Sequence, residues 1–256
     1  MILADYLEPL AYDIAFWTLG LVAPDADPQG VGALSNELGS KLRTVAIIVL
    51  LTKGDVDGYC HNLIRAARAR EHYLQHMHAA TRLDDHDFCA GRLAGFLSAC
   101  AAEDFTSARN IAALSPGAYR AGHEYEDDFC YAQTLFNLIA PQRDEAVLAA
   151  LCARWEACLK GAPGARLEVL RAIAGRDPLS FETAFEALLD ERGKQIGKDI
   201  ARGQLEEPPV VAERQVFIEG LALLRIAGRF GFPLQQEYRY CPSLALQPMQ
   251  QAFPGE

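Results

Sequence analysis

The most informative stretch of this sequence for the fold is Leu167-Glu-Val-Leu-Arg-Ala-Ile-Ala-Gly-Arg-Asp177-Pro-Leu-Ser-Phe181-Glu-Thr-Ala-Phe185-Glu-Ala-Leu-Leu189. An apolar segment rich in small residues ends at an acidic turn, and a second apolar segment follows. Asp177 is of a type that caps helix N-termini, and the proline after it suits the first helical position. Phe181, Phe185 and Leu189 share one face of a helix because they lie four residues apart. The stretch therefore predicts two helices joined by a short turn.

The same pattern recurs between residues 85 and 230. Its acidic turns lie near residues 104, 144 and 177, and this spacing of about 33 to 40 residues resembles the period of tetratricopeptide-type hairpins. The consensus side chains of that repeat are missing. No stretch alternates apolar and polar residues for long enough to predict a strand. We therefore predict an all-α protein of stacked antiparallel helical hairpins, either a degenerate tetratricopeptide-like solenoid or a compact helical array.

The remaining segments predict a single all-helical domain over residues 1–256. Its parts are a short N-terminal helix (4–20), a linker (23–32), a main helical array (35–245) and an irregular C-terminal tail. The run Val45-Ala-Ile-Ile-Val-Leu-Leu51 makes the helix predicted over 36–52 apolar on all sides, so we expect this helix to be central. The last helix is predicted over 211–229 and ends before Gly231, which suits a left-handed conformation.

The composition excludes several classes of protein. The 256 residues are 50% hydrophobic and 23% charged, with 24 basic and 34 acidic side chains and a net charge of −10. A disordered chain has fewer apolar residues, and a membrane-spanning helix needs about 18 or more in succession, far more than any run here. Nucleic-acid binders need clustered basic side chains, so we expect neither a nucleic-acid nor a membrane partner. A charged partner of this chain would be basic.

Seven cysteines are scattered through apolar stretches, and no two of them form a C-x-x-C pair. We interpret them as core residues in a reducing compartment, and not as a disulfide framework or a zinc ribbon. The N-terminus lacks a basic segment, and Asp5, Glu8 and Asp13 interrupt its apolar residues. We therefore expect no signal peptide and predict a cytoplasmic protein. No motif in the sequence predicts a bound cofactor.

Histidines form the one arrangement that suggests an enzyme. His72 and His76 lie one helical turn apart, which is the spacing by which two imidazoles bind zinc, and His78 follows them. A zinc hydrolase of the H-E-x-x-H type needs a glutamate where this chain has Tyr73. Further candidate ligands are His61, His86, Asp87 and Asp128. A metal-dependent helical hydrolase is thus one alternative function, and the other interpretation places these histidines at the surface or at an interface.

A second arrangement is the acidic turn, Gly122-His-Glu-Tyr-Glu-Asp-Asp128. Four carboxylates within five positions at the start of a helix interact favourably with the helix dipole, so one interpretation is a solvated first turn. The other is an acidic surface that binds a basic partner, since such surfaces steer association and tyrosine is favoured at interfaces. The candidate partner-binding residues are Glu124, Tyr125, Glu126, Asp127 and Asp128.

Three passages, in this order along the chain, resemble immunity protein family 49 of bacterial polymorphic and contact-dependent toxin systems. The first contains Gly122, Tyr125, Cys130, Tyr131 and Leu135, in a short acidic and aromatic stretch that opens a helix. The second contains Asp177, Pro178, Phe181, Ala184 and Leu188. The third contains Gly220-Leu-Ala-Leu-Leu224, Ala227, Phe230-Gly231, Pro233, Glu237-Tyr238 and Pro242. The resemblance covers roughly residues 85 to 245.

The resemblance implies an all-helical protein that is not an enzyme and that binds and neutralises a cognate toxin encoded next to it. On this hypothesis the helical scaffold presents the acidic turn to the toxin and blocks the toxin's active site. A tetratricopeptide-like scaffold for other protein partners is a further alternative, and a homo-oligomer is possible. The −10 net charge and the position of the acidic turn within the first matching passage favour the immunity hypothesis.

Overall fold

Helices form the framework of the chain in the computed structural model, which describes residues 3–23, 30–79, 85–162, 164–202 and 208–254. The α-helices are α1 (Leu7–Leu21), α2 (Val31–Lys53), α3 (Val56–Ala79), α4 (Ala94–Ala101), α5 (Phe105–Leu114), α6 (Glu126–Ile139), α7 (Glu145–Leu159), α8 (Ala165–Gly175), α9 (Pro178–Ala201), α10 (Pro208–Gln215) and α11 (Ile218–Arg229). Short 3-10 helices lie at Leu3–Tyr6 and Ser243–Leu246. These residues contain no β-strand, so the all-α prediction is confirmed.

Three aspartates start helices at the acidic turns that the sequence shows. Asp104 accepts a hydrogen bond from the backbone N–H three residues later. Asp144 and Asp177 each accept two, from the second and third residues that follow them. These bonds pair N–H groups that have no partner within the helix. Three pairs of consecutive helices pack against each other: α4 with α5, α6 with α7, and α8 with α9. In each pair the second helix starts at one of these aspartates.

The helices close into a compact array. α2 packs against α3, which also contacts α4 and α5. Near the other end of the sequence, α10 packs on α2 and α11 packs on α4. In a solenoid each repeat contacts only its neighbours, whereas here the last helices return to the first ones. Of the two architectures left open by the sequence, the compact helical array is therefore the one observed.

The apolar run within α2 lies at the centre of the core, as expected. Ala46, Ile47 and Ile48 are fully buried, and Leu50 is nearly so. Leu51 is the exception, because it is exposed at the C-terminal end of the helix. A helix with so few polar positions is stable only when neighbouring helices cover most of its sides, and α1, α3 and α10 do so here.

Two boundaries differ from those expected. α2 begins at Val31, inside the expected linker, of which residues 24–29 lie outside the described part. The helix predicted over 211–229 is interrupted, because the Phe217 N–H donates to the carbonyl oxygen of Tyr240 at 2.7 Å and not to a preceding turn. Gly231 follows α11 with a φ of +79°, so the expected left-handed conformation is confirmed.

The cysteines are all unpaired thiols, and Cys158 is the only one that is not buried. Burial raises the pKa of the Cys60 thiol to about 11 and that of Cys241 to about 12, so both are inert at neutral pH. These thiols pack as small apolar side chains, as the sequence suggested. No described helix is both long enough and apolar enough to cross a membrane.

Candidate functional site

The acidic turn leads directly into α6, whose first turn contains three of its four carboxylates. Gly122 has a φ of +85°, a conformation that favours glycine, and it reverses the chain just before the helix. None of the four carboxylates caps α6, since the N-cap residue Tyr125 makes no side-chain hydrogen bond to the helix. The interpretation as a simple solvated first turn is therefore incomplete, because each carboxylate has a different environment.

The carboxylate of Glu124 already has hydrogen-bond donors within the fold. Its Oε2 accepts a hydrogen bond from the Gly91 N–H at 2.7 Å, and its Oε1 accepts a longer one from the Arg120 N–H. A Cβ at position 91 would lie only 3.1 Å from that Oε2, so glycine is what permits this approach. Burial raises the pKa of the Glu124 carboxyl, although the two N–H donors oppose the shift. Glu124 thus joins the turn to the segment before α4.

Glu126 is also occupied, in this case by a cation. Arg154 on α7 lies 2.6 Å from its Oε1, and the guanidinium also stacks over the rings of Tyr119 and Phe129. Both partners of the ion pair are about 41% exposed, and pairs this exposed contribute little to stability. The pairing nevertheless neutralises Glu126, which is the closest acidic neighbour of Tyr125 along the helix.

Tyr125, Asp127 and Asp128 have no such partners. The side chain of Tyr125 is 78% exposed, an unusual state for a large aromatic residue. Asp128 is half-buried, and no described residue donates a hydrogen bond to it or forms an ion pair with it. Burial raises the pKa of Asp128, and the charge of Asp127 raises it further. The turn therefore offers one exposed ring and two carboxylates that have no hydrogen-bond or ion-pair partner among the described residues, although the charges of Arg92 and Arg166 oppose the rise in the Asp128 pKa.

Asp128 lies where two cavities meet. The outer cavity has a volume of about 520 Å³ and is lined by both sides of the acidic turn and by the segment 86–92. The inner one, of about 400 Å³, extends towards α2, α8 and α11. Gly91, Arg92 and Asp128 line both, so the two cavities adjoin. We call them together the acidic groove, after the acidic turn at the rim, although Arg43, Arg70, Arg92 and Arg166 also line them.

A hydrogen-bonded triad closes the inner end of the acidic groove. The buried Tyr131 hydroxyl donates to Glu219 Oε1 at 2.9 Å, and Arg166 donates two bonds to the same carboxylate at 2.6 and 2.7 Å. Burial and the adjacent Glu219 charge both hold the Tyr131 pKa well above its usual value. A two-bond arginine–carboxylate pair fixes orientation as well as charge. This part of the inner wall is therefore preorganised, and the charges of Arg166 and Glu219 balance each other.

Arg70 holds the segment that forms the roof of the groove. It is 4% exposed and donates at 3.0 Å to the carbonyl oxygens of Asp87 and Cys89. From the other side, Arg120 donates to the carbonyl oxygen of Phe88. Gly95 on α4 makes room for the Arg70 stem, since a Cβ there would lie 2.5 Å from the Arg70 Cβ. The roof is thus fixed by contacts between residues far apart in sequence.

The histidines of the metal hypothesis do not converge. His72 is exposed, and His78 is exposed with its Nε2 2.8 Å from the carbonyl oxygen of Leu114. His61 contacts the C-terminal segment at Gln251. Among the described residues, no group of three His, Cys, Asp or Glu side chains is arranged to hold a metal ion. The structure therefore gives the metal-dependent hydrolase hypothesis no support.

Sequence reasoning gave some residues around Asp128 another role and missed others. His86, a candidate metal ligand from the sequence, lies with its ring 5.6 Å from that of His123, and both line the outer cavity. Arg92 and Arg166 contribute the nearby positive charge. No sequence signal indicates them, because α8 and the segment before α4 approach α6 only in the folded protein. Of the five predicted residues, Tyr125, Asp127 and Asp128 are available to a partner, and Glu124 and Glu126 are already occupied.

The sequence model of the family described as Immunity protein 49 matches residues 44–245, which is well over half of the chain. The match includes the acidic turn and all helices from α3 to α11, and it leaves α1 outside. The comparison with curated proteins found no match, and neither did the comparison with solved structures. The three passages that resemble an immunity protein family lie within the matched residues. The chain therefore belongs to the Immunity protein 49 family.

Proposed function

We propose that this protein binds a cognate toxin and neutralises it by occluding the toxin's active site, without catalysis of its own. Membership of an immunity protein family supports the function, and the acidic groove supports the location of the binding site. The observation that carries the location is Asp128, a half-buried carboxylate without a hydrogen-bonding or ionic partner among the described residues. A carboxylate in this state gains most from a cation that a partner supplies.

The geometry favours a basic side chain of the toxin as the group that enters the groove. The outer cavity is lined by the aromatic ring of Tyr119, the imidazoles of His86 and His123, and Asp128. Its one cation, Arg92, is paired with Asp87 at 3.2 Å, and Arg154 covers part of the Tyr119 ring. Aromatic faces and a carboxylate together suit the stem and the charged head of lysine or arginine. Tyr125 at the rim supplies an exposed ring that a partner can cover, as interface hot spots require.

The site of action that we propose is the cytoplasm. All seven cysteines are unpaired, and unpaired thiols persist in reducing compartments. The partner would be encoded next to this protein, because toxin and immunity functions are inherited together only when their genes stay linked. The toxin can therefore be sought in the adjacent open reading frame.

Co-expression with the toxin encoded by the neighbouring reading frame tests the proposal. We expect the wild-type chain to protect cells and to co-purify with the toxin. Tyr125→Ala should weaken the complex by about 10- to 30-fold, the range of an aromatic hot spot. Asp128→Asn should weaken it about tenfold and reduce its dependence on salt, since a charge pair is lost. Both affinities are measured by calorimetry with an inactive toxin variant.

Leu179→Ala serves as the matched control, because Leu179 is 82% exposed on α9, outside the groove. We expect this substitution to leave affinity and protection unchanged. If the wild-type chain neither protects nor binds, the proposed function is wrong. If it protects but the Tyr125 and Asp128 substitutions leave the affinity unchanged, the function stands and the location is wrong.

A further inference from the structure

The outer face of α1 is apolar from Ala11 to the end of the helix, beyond the exposed Glu8 of its first turn. From residue 11 onwards, the exposed positions of the helix and its C-cap are Ala11, Tyr12, Ala15, Phe16, Leu19 and Val22, and none of them is polar. The opposite face is buried against α2 and contributes Leu10, Ile14 and Leu21 to the core. A helix that is apolar on both faces is normally covered on both. The described residues cover only one face of α1.

The exposed area of this face is comparable to the largest apolar patch of a typical monomeric protein, and such patches are often functional. Tyr12 and Leu19 are each 72% exposed, Phe16 is 67% exposed and Val22 is 58% exposed. With roughly 150–250 Å² for a whole aromatic side chain, these four leave on the order of 400–500 Å² of apolar surface in one patch. Patches of this size on monomers mark interaction sites more often than chance exposure.

The shape of the surface favours a second copy of the same chain. Beside the row of bulky side chains runs a groove of about 650 Å³, whose lining is mostly apolar and includes Ala11, Ile14, Ala15 and Val45. Thr18, Asn62 and Arg65 are its polar lining residues. A ridge and a groove on the same face are self-complementary, because a two-fold axis places the ridge of each copy against the groove of the other. Small residues at Ala11 and Ala15 allow the two helices to approach closely.

The area fits a dimer of modest affinity. Two patches with their flanking groove residues bury a total of about 1,000 Å², at the lower end of specific interfaces, so dissociation constants in the micromolar range are expected. A membrane surface is a poorer occupant, because α1 contains no lysine or arginine and has acidic residues at Glu8 and Asp13. The patch also lies outside the residues shared with the family, whereas the acidic groove lies mainly within them.

We infer that this chain forms a two-fold dimer through the outer face of α1, on a surface separate from the acidic groove. The inference does not depend on the proposed function. No described residue lines both the groove beside α1 and the acidic groove, so occupation of one leaves the lining of the other free. A dimer would then bind two toxin molecules.

Sedimentation velocity of the full-length chain over micromolar to several-hundred-micromolar concentrations tests this inference. We expect the mass to rise from 28.0 kDa towards twice that value as the concentration increases. Phe16→Glu should weaken the dimer at least about tenfold, since each copy would place a carboxylate in an apolar interface. Leu19→Glu should act in the same way. Both positions are exposed, so circular dichroism should show unchanged helix content.

Leu179→Glu is the matched control, as an equally exposed leucine on α9 that receives the same charge. We expect it to dimerise like the wild type. A wild-type chain that stays monomeric at every concentration overturns the inference, and so does a control that weakens the dimer equally. If the wild type is monomeric and Phe16→Glu abolishes binding of the toxin or of zwitterionic lipid vesicles, that other occupant covers α1 and the dimer is wrong.

Discussion

The acidic groove and the outer face of α1 are both open to solvent, but they are built in opposite ways. The groove is polar, and side chains from several helices hold its walls, among them Arg70, Arg154 and Glu219. The α1 face is apolar, and α1 packs mainly on α2. The groove is rigid and selects a partner by its charge, whereas the α1 face offers apolar contact area without polar groups that would orient a partner. The first suits a specific partner of opposite charge, and the second suits a copy of itself.

The largest expected loss of stability comes from removing Arg70, which holds the segment before α4 over the groove. Arg70→Ala removes the donor to the carbonyl oxygen of Cys89 and one of the two donors to that of Asp87, and it creates a cavity, so we expect a loss of about 3–5 kcal/mol in the free energy of unfolding. Urea denaturation measures it. The control is Arg65→Ala on the same helix, where an exposed side chain should change stability by less than about 0.5 kcal/mol. Equal stability of the two variants would contradict the role of Arg70.

Substitutions on the two faces of α1 should differ sharply in their effect on the free energy of unfolding, although both faces are apolar. Ile14 is 8% exposed and Phe16 is 67% exposed. We expect Ile14→Ala to lower the free energy of unfolding by about 2–4 kcal/mol and Phe16→Ala to change it by less than about 0.5 kcal/mol. The measurement belongs below micromolar concentration, where the proposed dimer is dissociated. A large loss for Phe16→Ala there would show that the same chain covers this face.

The triad of Tyr131, Glu219 and Arg166 at the inner end of the groove should contribute more to the free energy of unfolding than a surface ion pair does. Glu219→Gln removes the charge that pairs with Arg166 and weakens the acceptor of the buried Tyr131 hydroxyl. We expect a loss of about 1–3 kcal/mol in the free energy of unfolding. Glu156→Gln breaks an exposed pair with Arg171, and its effect should stay below about 0.5 kcal/mol. Matching values for the two variants would mean that the groove is not preorganised at this end.

The smallest expected effect is a gain in stability when the charge of Asp128 is removed. Because burial raises the folded-state pKa of Asp128, the charged carboxylate destabilises the fold above that pKa, and protonation removes the effect. Asp128→Asn should therefore raise the free energy of unfolding at pH 7 by up to about 1 kcal/mol. The two chains should converge as the pH falls below about 3.9, the ordinary pKa of aspartate.

Asp127→Asn provides the comparison for this prediction, because it removes the neighbouring charge of the same turn. We expect its effect on stability at pH 7 to be smaller than that of Asp128→Asn. A destabilised Asp128→Asn variant would mean that Asp128 stabilises the fold and is not held for a partner. A stabilised variant that binds the toxin less tightly would show that the site retains an unfavourable charge for its function.

The sequence predicts the local features of this protein well. Asp104, Asp144 and Asp177 start helices, and Gly231 follows one in a left-handed conformation. These features depend on bonds between residues a few positions apart, so the sequence contains everything they need. The break at Phe217 was not predictable, because its hydrogen-bond partner Tyr240 lies 23 residues later. Whether the helices formed a solenoid or a closed array depended on equally distant contacts.

Helical periodicity and capping are local properties, so the sequence alone was enough to predict an all-α protein with an acidic turn at the start of a helix. Which acidic residues stay available depended on tertiary packing. Arg154 and the Gly91 N–H occupy Glu126 and Glu124, whereas Asp128 has no hydrogen-bond or ion-pair partner among the described residues and has only the charges of Arg92 and Arg166 nearby. Tertiary packing likewise left Phe16 exposed and buried Ile14, although both are apolar residues of one helix. The physical reason is that burial and charge compensation depend on neighbours in space, which a pattern of residues along the chain does not specify.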